Sequence, residues 1–207
     1  MSTTDLIGWF GALMGGCMAA IQYRRAKRVG VDGISPLTES MFLMVGIFFM
    51  AYSLKLHSVP LFFATMFSAP FQLAVLLAIG WSKTWRTMLG ALAIVTFAIV
   101  LPTALWGWNV GAGSVGFVMV FTRLPQIVDL IRMPSVEGVS VVSWLLSSVN
   151  LGLWLYYYSY HHDTGAAISM VITITSNLLI VVITALRHRH TKELLERFSS
   201  LFSTDVA

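Results

Sequence analysis

The stretch TMLGALAIVTFAIVLPTALWG, from Thr87 to Gly107, contains no charged residue and is long enough to cross a bilayer as a helix. Six further apolar stretches lie at about 6–23, 36–54, 58–82, 110–131, 139–160 and 164–186. The chain has 207 residues, 57% hydrophobic and 11% charged, whereas ordinary soluble domains carry about 25% charged residues. The sequence therefore predicts an all-α integral membrane protein with seven transmembrane helices, and it excludes a soluble enzyme.

Basic residues are divided unevenly between the two sides of the predicted membrane. Cytoplasmic loops of membrane proteins carry an excess of Lys and Arg, which predicts an N-terminus outside and a C-terminus in the cytoplasm. The short loops favour the plasma membrane, although an organelle membrane would give the same pattern. With seven crossings, eleven of the thirteen basic residues share one side: Arg24, Arg25, Lys27, Arg28, Lys83, Arg86, Arg132, Arg187, Arg189, Lys192 and Arg197.

The chain also repeats itself after about 105 residues, a period that fits the parallel internal repeats of some transporters. Ile21-Gln22-Tyr23 aligns with Pro125-Gln126-Ile127, Asp32-Gly33-Ile34-Ser35 with Glu137-Gly138-Val139-Ser140, and Phe49-x-x-Tyr52 with Trp154-x-x-Tyr157. A three-helix unit that starts outside ends inside, so a second parallel copy needs one more crossing before it begins.

The predicted organisation follows from that requirement. We expect a first three-helix repeat at 5–82, a linker helix at 87–107, a second three-helix repeat at 110–187 and a cytoplasmic tail at 188–207. In the tail, the spacing of apolar residues from Thr191 to Phe202 favours an amphipathic helix on the inner leaflet, with a disordered end as the alternative. Two prolines within spans, Pro70 and Pro102, predict kinks.

The second repeat resembles the PQ-loop proteins, and in particular the SWEET sugar transporters. The residues that carry the resemblance are Leu124-Pro125-Gln126, Glu137-Gly138-Val139-Ser140 and Asn150-x-x-x-Trp154-x-x-Tyr157. The resemblance implies passive transport of a mono- or disaccharide by alternating access. Other PQ-loop proteins carry amino acids with protons, and some retrieve lumenal proteins, so a proton-coupled amino-acid carrier and a non-transporting receptor or scaffold remain alternatives.

Four side chains are candidates for binding a small polar solute. Asn150 and Trp154 are one helical turn apart, so an amide that donates and accepts lies beside an indole that can stack on a ring. Thr173 and Asn177 form a similar strip in the last span. Each pair has a simpler interpretation, because polar residues also join neighbouring helices and a tryptophan fills a core.

Further residues are candidates for movement and coupling. Pro125 removes a backbone donor and predicts a hinge, and Gln126 offers an amide to the freed carbonyl. Its counterpart Gln22 has no proline before it, so we expect the two halves to bend unequally. Glu39 and Arg123 are ionisable residues inside predicted spans, which favours a gate ion pair. Arg123 reaching the interface along its flexible stem, and Glu39 carrying a coupled proton, are the alternatives.

The sequence contains no catalytic or metal-binding motif that would point to an enzyme. We therefore expect no cofactor, no metal and no nucleic-acid partner. The expected partners are a small polar solute, with a sugar as the first candidate, and the lipid bilayer. Two repeats in one chain can complete a pathway, so a monomer and a homo-oligomer both remain open.

Overall fold

The computed structural model of the chain describes residues 2–31, 34–132 and 141–203; the side chains of 29, 125, 126, 129, 130, 132, 143 and 188–203 lie outside that description. Within those ranges the chain forms seven helices and no strand. Their bounds are α1 Thr3–Val29, α2 Pro36–Leu56, α3 Val59–Ile79, α4 Trp81–Trp106, α5 Trp108–Arg132, α6 Val141–Tyr160 and α7 Thr164–Ser203.

Five of these helices, α1 to α4 and α7, are long and apolar enough to span a membrane. Large apolar side chains also point away from the protein, among them Phe10, Phe97 and Phe121, which are 62%, 70% and 68% exposed. Exposure on this scale suits a surface that faces lipid instead of water. An all-helical membrane protein, as the sequence predicts, is therefore confirmed for the described residues.

Serine side chains begin the first three helices. Ser2, Ser35 and Ser58 each accept a hydrogen bond from a backbone N–H in the first turn of the following helix. Such caps satisfy donors that have no partner inside the helix. The capping serines thus mark the helix starts in the local sequence. For α2 and α3 these starts lie within two residues of the predicted boundaries.

The junction of α3 and α4 corrects the predicted loop. The third span was expected to run to residue 82 and to be followed by a loop holding Lys83 and Arg86. Instead α3 ends at Ile79, and Gly80 alone makes the turn, with φ +109°. Glycine tolerates that dihedral because it has no Cβ, so α4 begins at once and both basic residues lie in its first turns.

One turn in the middle of α4 is wider than an α-helix. Residues Thr96–Val100 form a π-helical turn, in which the N–H of Leu101 donates to the carbonyl of Thr96. Pro102 follows directly and has no N–H to donate, which disrupts the regular hydrogen-bond ladder at this point. The irregularity predicted for this proline therefore takes the form of a π turn.

The helices pack in two groups of three. In the first bundle, α1 to α3, helix α3 contacts both α1 and α2; in the second bundle, α5 to α7, helix α7 contacts both α5 and α6. The bundles meet where α1 contacts α6 and where α2 contacts α5. Helix α4 packs on α2 and α3 with its first part and on α5 with its last turns.

Helix α7 continues without a break from the last predicted span into the tail. It runs from Thr164 to Ser203, a length of about 60 Å at 1.5 Å per residue. The helix predicted at 191–202 is thus a direct continuation of the last span. Because its side chains lie outside the described part of the chain, the amphipathic surface stays a prediction.

We expect Gly80→Ala to lower the stability of the protein. Alanine at this position would have to adopt a positive φ, which costs about 1–3 kcal/mol because of its Cβ. The measurement is the thermal unfolding midpoint in detergent. Gly90→Ala is the control, since Gly90 lies inside α4 with open space around it and alanine is the better helix former. Equal midpoints for the two variants would contradict the role given to Gly80.

Candidate functional site

A chain of polar side chains joins the three helices of the second bundle. Arg123 of α5 donates from Nε to Oδ1 of Asn177 of α7 over 2.7 Å, and Asn177 Nδ2 donates to Ser147 Oγ of α6 over 3.0 Å. Arg123 also donates from Nη1 to the carbonyl of Met119 over 2.8 Å. Its guanidinium carbon lies 6.0 Å from the ring centre of Trp144, within the range of a cation–π contact.

This polar chain is removed from the surface of the protein. Arg123 is 4% exposed and Asn177 is fully buried. Arg123 lies nine residues before the end of α5, about 13 Å along the helix axis. The side chain of Arg123 is held within the second bundle by its bonds to Asn177 and to the carbonyl of Met119, one turn nearer the start of α5.

The predicted ion pair between Glu39 and Arg123 is not formed in this structure. Glu39, which is 4% exposed, instead accepts a hydrogen bond on Oε1 from Nε2 of Gln22. The two charges lie in different bundles, and each takes a neutral amide from its own bundle as a partner. Gln22, expected near a hinge, thus connects α1 to α2.

Asn150 and Trp154 lie where the two bundles meet. Both are on α6 and face glycines of α1: a Cβ built on Gly11 would stand 3.1 Å from the Trp154 ring, and one on Gly15 would stand 3.5 Å from Asn150 Nδ2. The Oδ1 atom of Asn150 is buried and has no hydrogen-bond partner. A buried amide oxygen without a hydrogen bond costs free energy of folding. A ligand that donates a hydrogen bond at this position would remove that cost.

Thr173 lies one turn before Asn177 on α7, and both side chains are buried. The hydroxyl of Thr173 donates to the carbonyl of Ser169 one turn earlier in α7, over 2.7 Å. Back-bonding within a helix satisfies the hydroxyl. Among the four predicted binding residues, the structure therefore places Asn150 and Trp154 at the seam between bundles and Asn177 on Arg123.

A cluster of aromatic rings closes the end of the molecule at which α1 begins. Tyr52 stacks on Trp108 with ring centres 5.6 Å apart, and Phe49 on Tyr158 at 6.3 Å. Trp154 meets Tyr157 edge to face at 5.5 Å. The rings come from α2, α5 and α6, so they hold both bundles together at this end.

Two hydrogen bonds add to this closure. Tyr52 donates from its hydroxyl to Oδ2 of Asp163 over 2.6 Å, which joins α2 to the start of α7. Asp163 in turn caps α7 by accepting from the N–H of Ala166 over 3.2 Å. The hydroxyls of Ser58 and Tyr157 lie 2.5 Å apart and join α3 to α6.

Two hollows in the described part of the protein lie away from Arg123, Asn150 and Asn177. One is a largely apolar groove of about 500 Å³ between α2, α4 and α5, with Phe117 and Phe121 pointing outward at its rim. The other, of about 360 Å³, lies at the end where α1 begins and is lined by Asp5, His57, Ser58, Tyr157 and His161 among others. Asn150 and Asn177 line neither of these two hollows.

The hinge residues can be located only by their backbone. Helix α5 continues through Pro125 and Gln126, whose side chains are outside the described part of the chain. Their role as a hinge stays a prediction, as does the alignment that involves residues 32–33 and 137–140. The connection of Gln22 to Glu39 is the one part of this hypothesis that the structure describes.

The sequence analysis missed two features of the site. The first is the row Gly8, Gly11 and Gly15, whose spacing places all three on one face of α1 and lets α6 approach closely. That spacing is visible in the sequence and was a usable signal. The second is the bond of Tyr52 to Asp163, which joins residues 111 positions apart and has no local signature.

Comparison of this chain with models of protein families, with curated proteins and with solved structures gave no match. The site is therefore interpreted from its own geometry.

We expect Asn177→Ala to destabilise the fold, because it leaves the buried guanidinium without its side-chain acceptor. Loss of a hydrogen bond to a buried charged group costs about 1.5–3 kcal/mol. Thermal unfolding in detergent measures the effect, and Thr175→Ala is the control because its exposed hydroxyl bonds only to the carbonyl of Val171 in the same helix. If both variants have the same unfolding midpoint as the wild type, Asn177 contributes nothing to holding Arg123.

Proposed function

We propose that the protein carries a small polar solute across a membrane by alternating access, with a mono- or disaccharide as the first candidate. The proposed architecture is two parallel three-helix repeats joined by a linker helix, with the N-terminus outside and the C-terminus in the cytoplasm. The packing supports it, because each contact in one bundle has a counterpart in the other. The α1–α3 contact matches α5–α7, and α2–α3 matches α6–α7.

The observation that carries the proposal is the placement of Asn150 and Trp154 at the seam between the bundles. A solute that passes between two rocking units must bind where they meet. Asn150 offers there a buried carbonyl oxygen without a partner, and Trp154 offers a ring one turn away. A sugar presents hydroxyl donors and apolar ring faces, which match these two groups.

The aromatic cluster supports a conformation closed on one side. Tyr52, Trp108 and Tyr158 hold the bundles together at the end where α1 begins, which is the outer side under the proposed orientation. Opening this side requires the Tyr52–Asp163 bond and the ring contacts to break. The glycines of α1 favour such movement, because they have no side chains and α6 contacts their backbone directly.

A second candidate function, proton-coupled transport, is favoured by the surroundings of Glu39. The carboxyl group is buried in α2 and its hydrogen-bond partner is an amide rather than a cation. Intramembrane carboxyl groups are characteristic of proton relays in pumps and transporters. The second candidate function therefore assigns the coupled proton to Glu39.

We expect Asn150→Ala to reduce solute uptake without lowering the stability of the protein. The oxygen that it removes has no partner within the protein, so no internal hydrogen bond is lost. The measurement is uptake of labelled mono- and disaccharides into proteoliposomes, together with the unfolding midpoint. Ser148→Ala is the control, because its hydroxyl bonds to Trp144 within α6. A stability loss with unchanged uptake would instead make Asn150 a packing residue.

For a passive carrier we expect equal uptake with and without a proton gradient, in the wild type and in Glu39→Gln. The substitution keeps the shape of the side chain and removes its proton exchange. Uptake into proteoliposomes with an imposed pH difference measures this. Uptake that the gradient stimulates and that Glu39→Gln abolishes would replace the passive mechanism with a coupled one.

A further inference from the structure

The guanidinium of Arg123 has N–H groups without an acceptor among the described residues. Arginine has five N–H groups. One bonds to Asn177 and one to the carbonyl of Met119, and the remaining three have no acceptor among the described residues. The two hydrogen bonds and the contact with Trp144 hold the side chain in place. The free N–H groups on Nη1 and Nη2 form the fork that binds a carboxylate through both oxygens.

The charge of this guanidinium is also not balanced by the acids that the structure describes. Three acidic side chains are described, and each has another partner: Asp5 bonds to Ser2, Glu39 to Gln22, and Asp163 to Tyr52. A buried cation in a membrane segment is expensive unless an anion or several dipoles stabilise it. Neutral amides and carbonyls supply part of that stabilisation, and a ligand carboxylate would supply the rest.

The position of Arg123 relates it to the proposed solute site. Its chain of hydrogen bonds ends on Ser147 of α6. Asn150 follows Ser147 by three residues, on the same side of the helix and about 4.5 Å further along its axis. The unpaired oxygen of Asn150 therefore lies about one helical turn from Ser147, whose hydroxyl accepts from Asn177. The cation on α5 is thus connected through Asn177 and Ser147 to the helix that carries the unpaired oxygen of Asn150.

We infer that the transported solute is an anion, a small polyhydroxylated molecule with one carboxylate. In this arrangement the carboxylate binds the fork of Arg123, the hydroxyls donate to Asn150, and Trp154 covers an apolar ring face. A neutral sugar adds no counter-charge to the guanidinium, so charge separates the preferred solute from its neutral analogue. This inference rests on the proposed transport function and names the class of its substrate.

The test compares two probes that differ at one carbon, D-glucuronate and D-glucose. Their uptake is measured in proteoliposomes, with and without a potential imposed by a potassium gradient and valinomycin. We expect glucuronate to enter at least tenfold faster than glucose at equal concentration. We also expect an inside-positive potential to increase glucuronate uptake, because one negative charge crosses with each molecule.

Asn177→Asp is the decisive variant. It changes one atom of the side chain and places a permanent carboxylate at the position that now accepts from Arg123 Nε. The internal anion should compete with the ligand, so we expect glucuronate uptake to fall at least tenfold. The unfolding midpoint should remain at or above that of the wild type, which shows that the protein is folded. Arg123→Lys keeps the charge but lacks the fork, and a fall in glucuronate uptake is expected there too.

Binding is followed separately from transport by the shift of the unfolding midpoint with each probe in detergent. Uptake of glucose equal to that of glucuronate, unchanged in Asn177→Asp, would overturn the inference and leave the transport proposal standing. Stabilisation by glucuronate that Asn177→Asp removes, without uptake of either probe, would support the anion site and overturn transport. Neither uptake nor stabilisation by either probe would overturn the anion inference and count against the sugar proposal.

Discussion

Hydrocarbon offers no hydrogen-bond partner, and this constraint governs the structure of the protein. Backbone groups within the described spans are satisfied by forming helices, and the ends of those helices are closed by serines and by Asp163. Buried polar side chains obey the same rule, as the bonds of Gln22 to Glu39 and of Arg123 to Asn177 show.

The exceptions to this rule are therefore informative. Among the described side chains, the buried atoms without a partner are the Asn150 carbonyl oxygen and the Ser169 hydroxyl. Ser169 is pressed against α5 at Gly116, where a Cβ would stand 2.8 Å from its backbone. Asn150, by contrast, lies where two bundles meet. An unpaired oxygen between two separable units favours a ligand site, whereas one inside a tight helix contact is explained by packing alone.

Much of the fold follows from local sequence. Runs of apolar residues predict the helices, because span length is fixed by membrane thickness and needs no knowledge of neighbours. The prediction is wrong at the junction of α3 and α4, where basic residues suggested a loop. Charge marks the side of a membrane but not the end of a helix, and Gly80 makes the turn on its own.

The site is less accessible to such reasoning, because its contacts depend on how helices rotate against each other. Glu39 and Arg123 were expected to pair since both are ionisable and lie inside predicted spans. Depth follows from the sequence, but rotation does not, and each residue faces a partner in its own bundle. Asn150 and Trp154 share one face of α6, as their spacing implies, and glycines of α1 lie opposite that face. Binding of a solute there stays a prediction.

The π turn in α4 has a consequence for how the two bundles are linked. An inserted residue turns the following helix by about 100° relative to the preceding part, since one α-helical residue covers that angle. The segment Trp81–Val95 can therefore present its buried residues to α2 while Leu101–Trp106 presents a different side to α5. The first half of the linker helix α4 packs on the first bundle, and its last turns pack on the second. The π turn itself packs on α5, so the change of side occurs where the linker passes from the first bundle to the second.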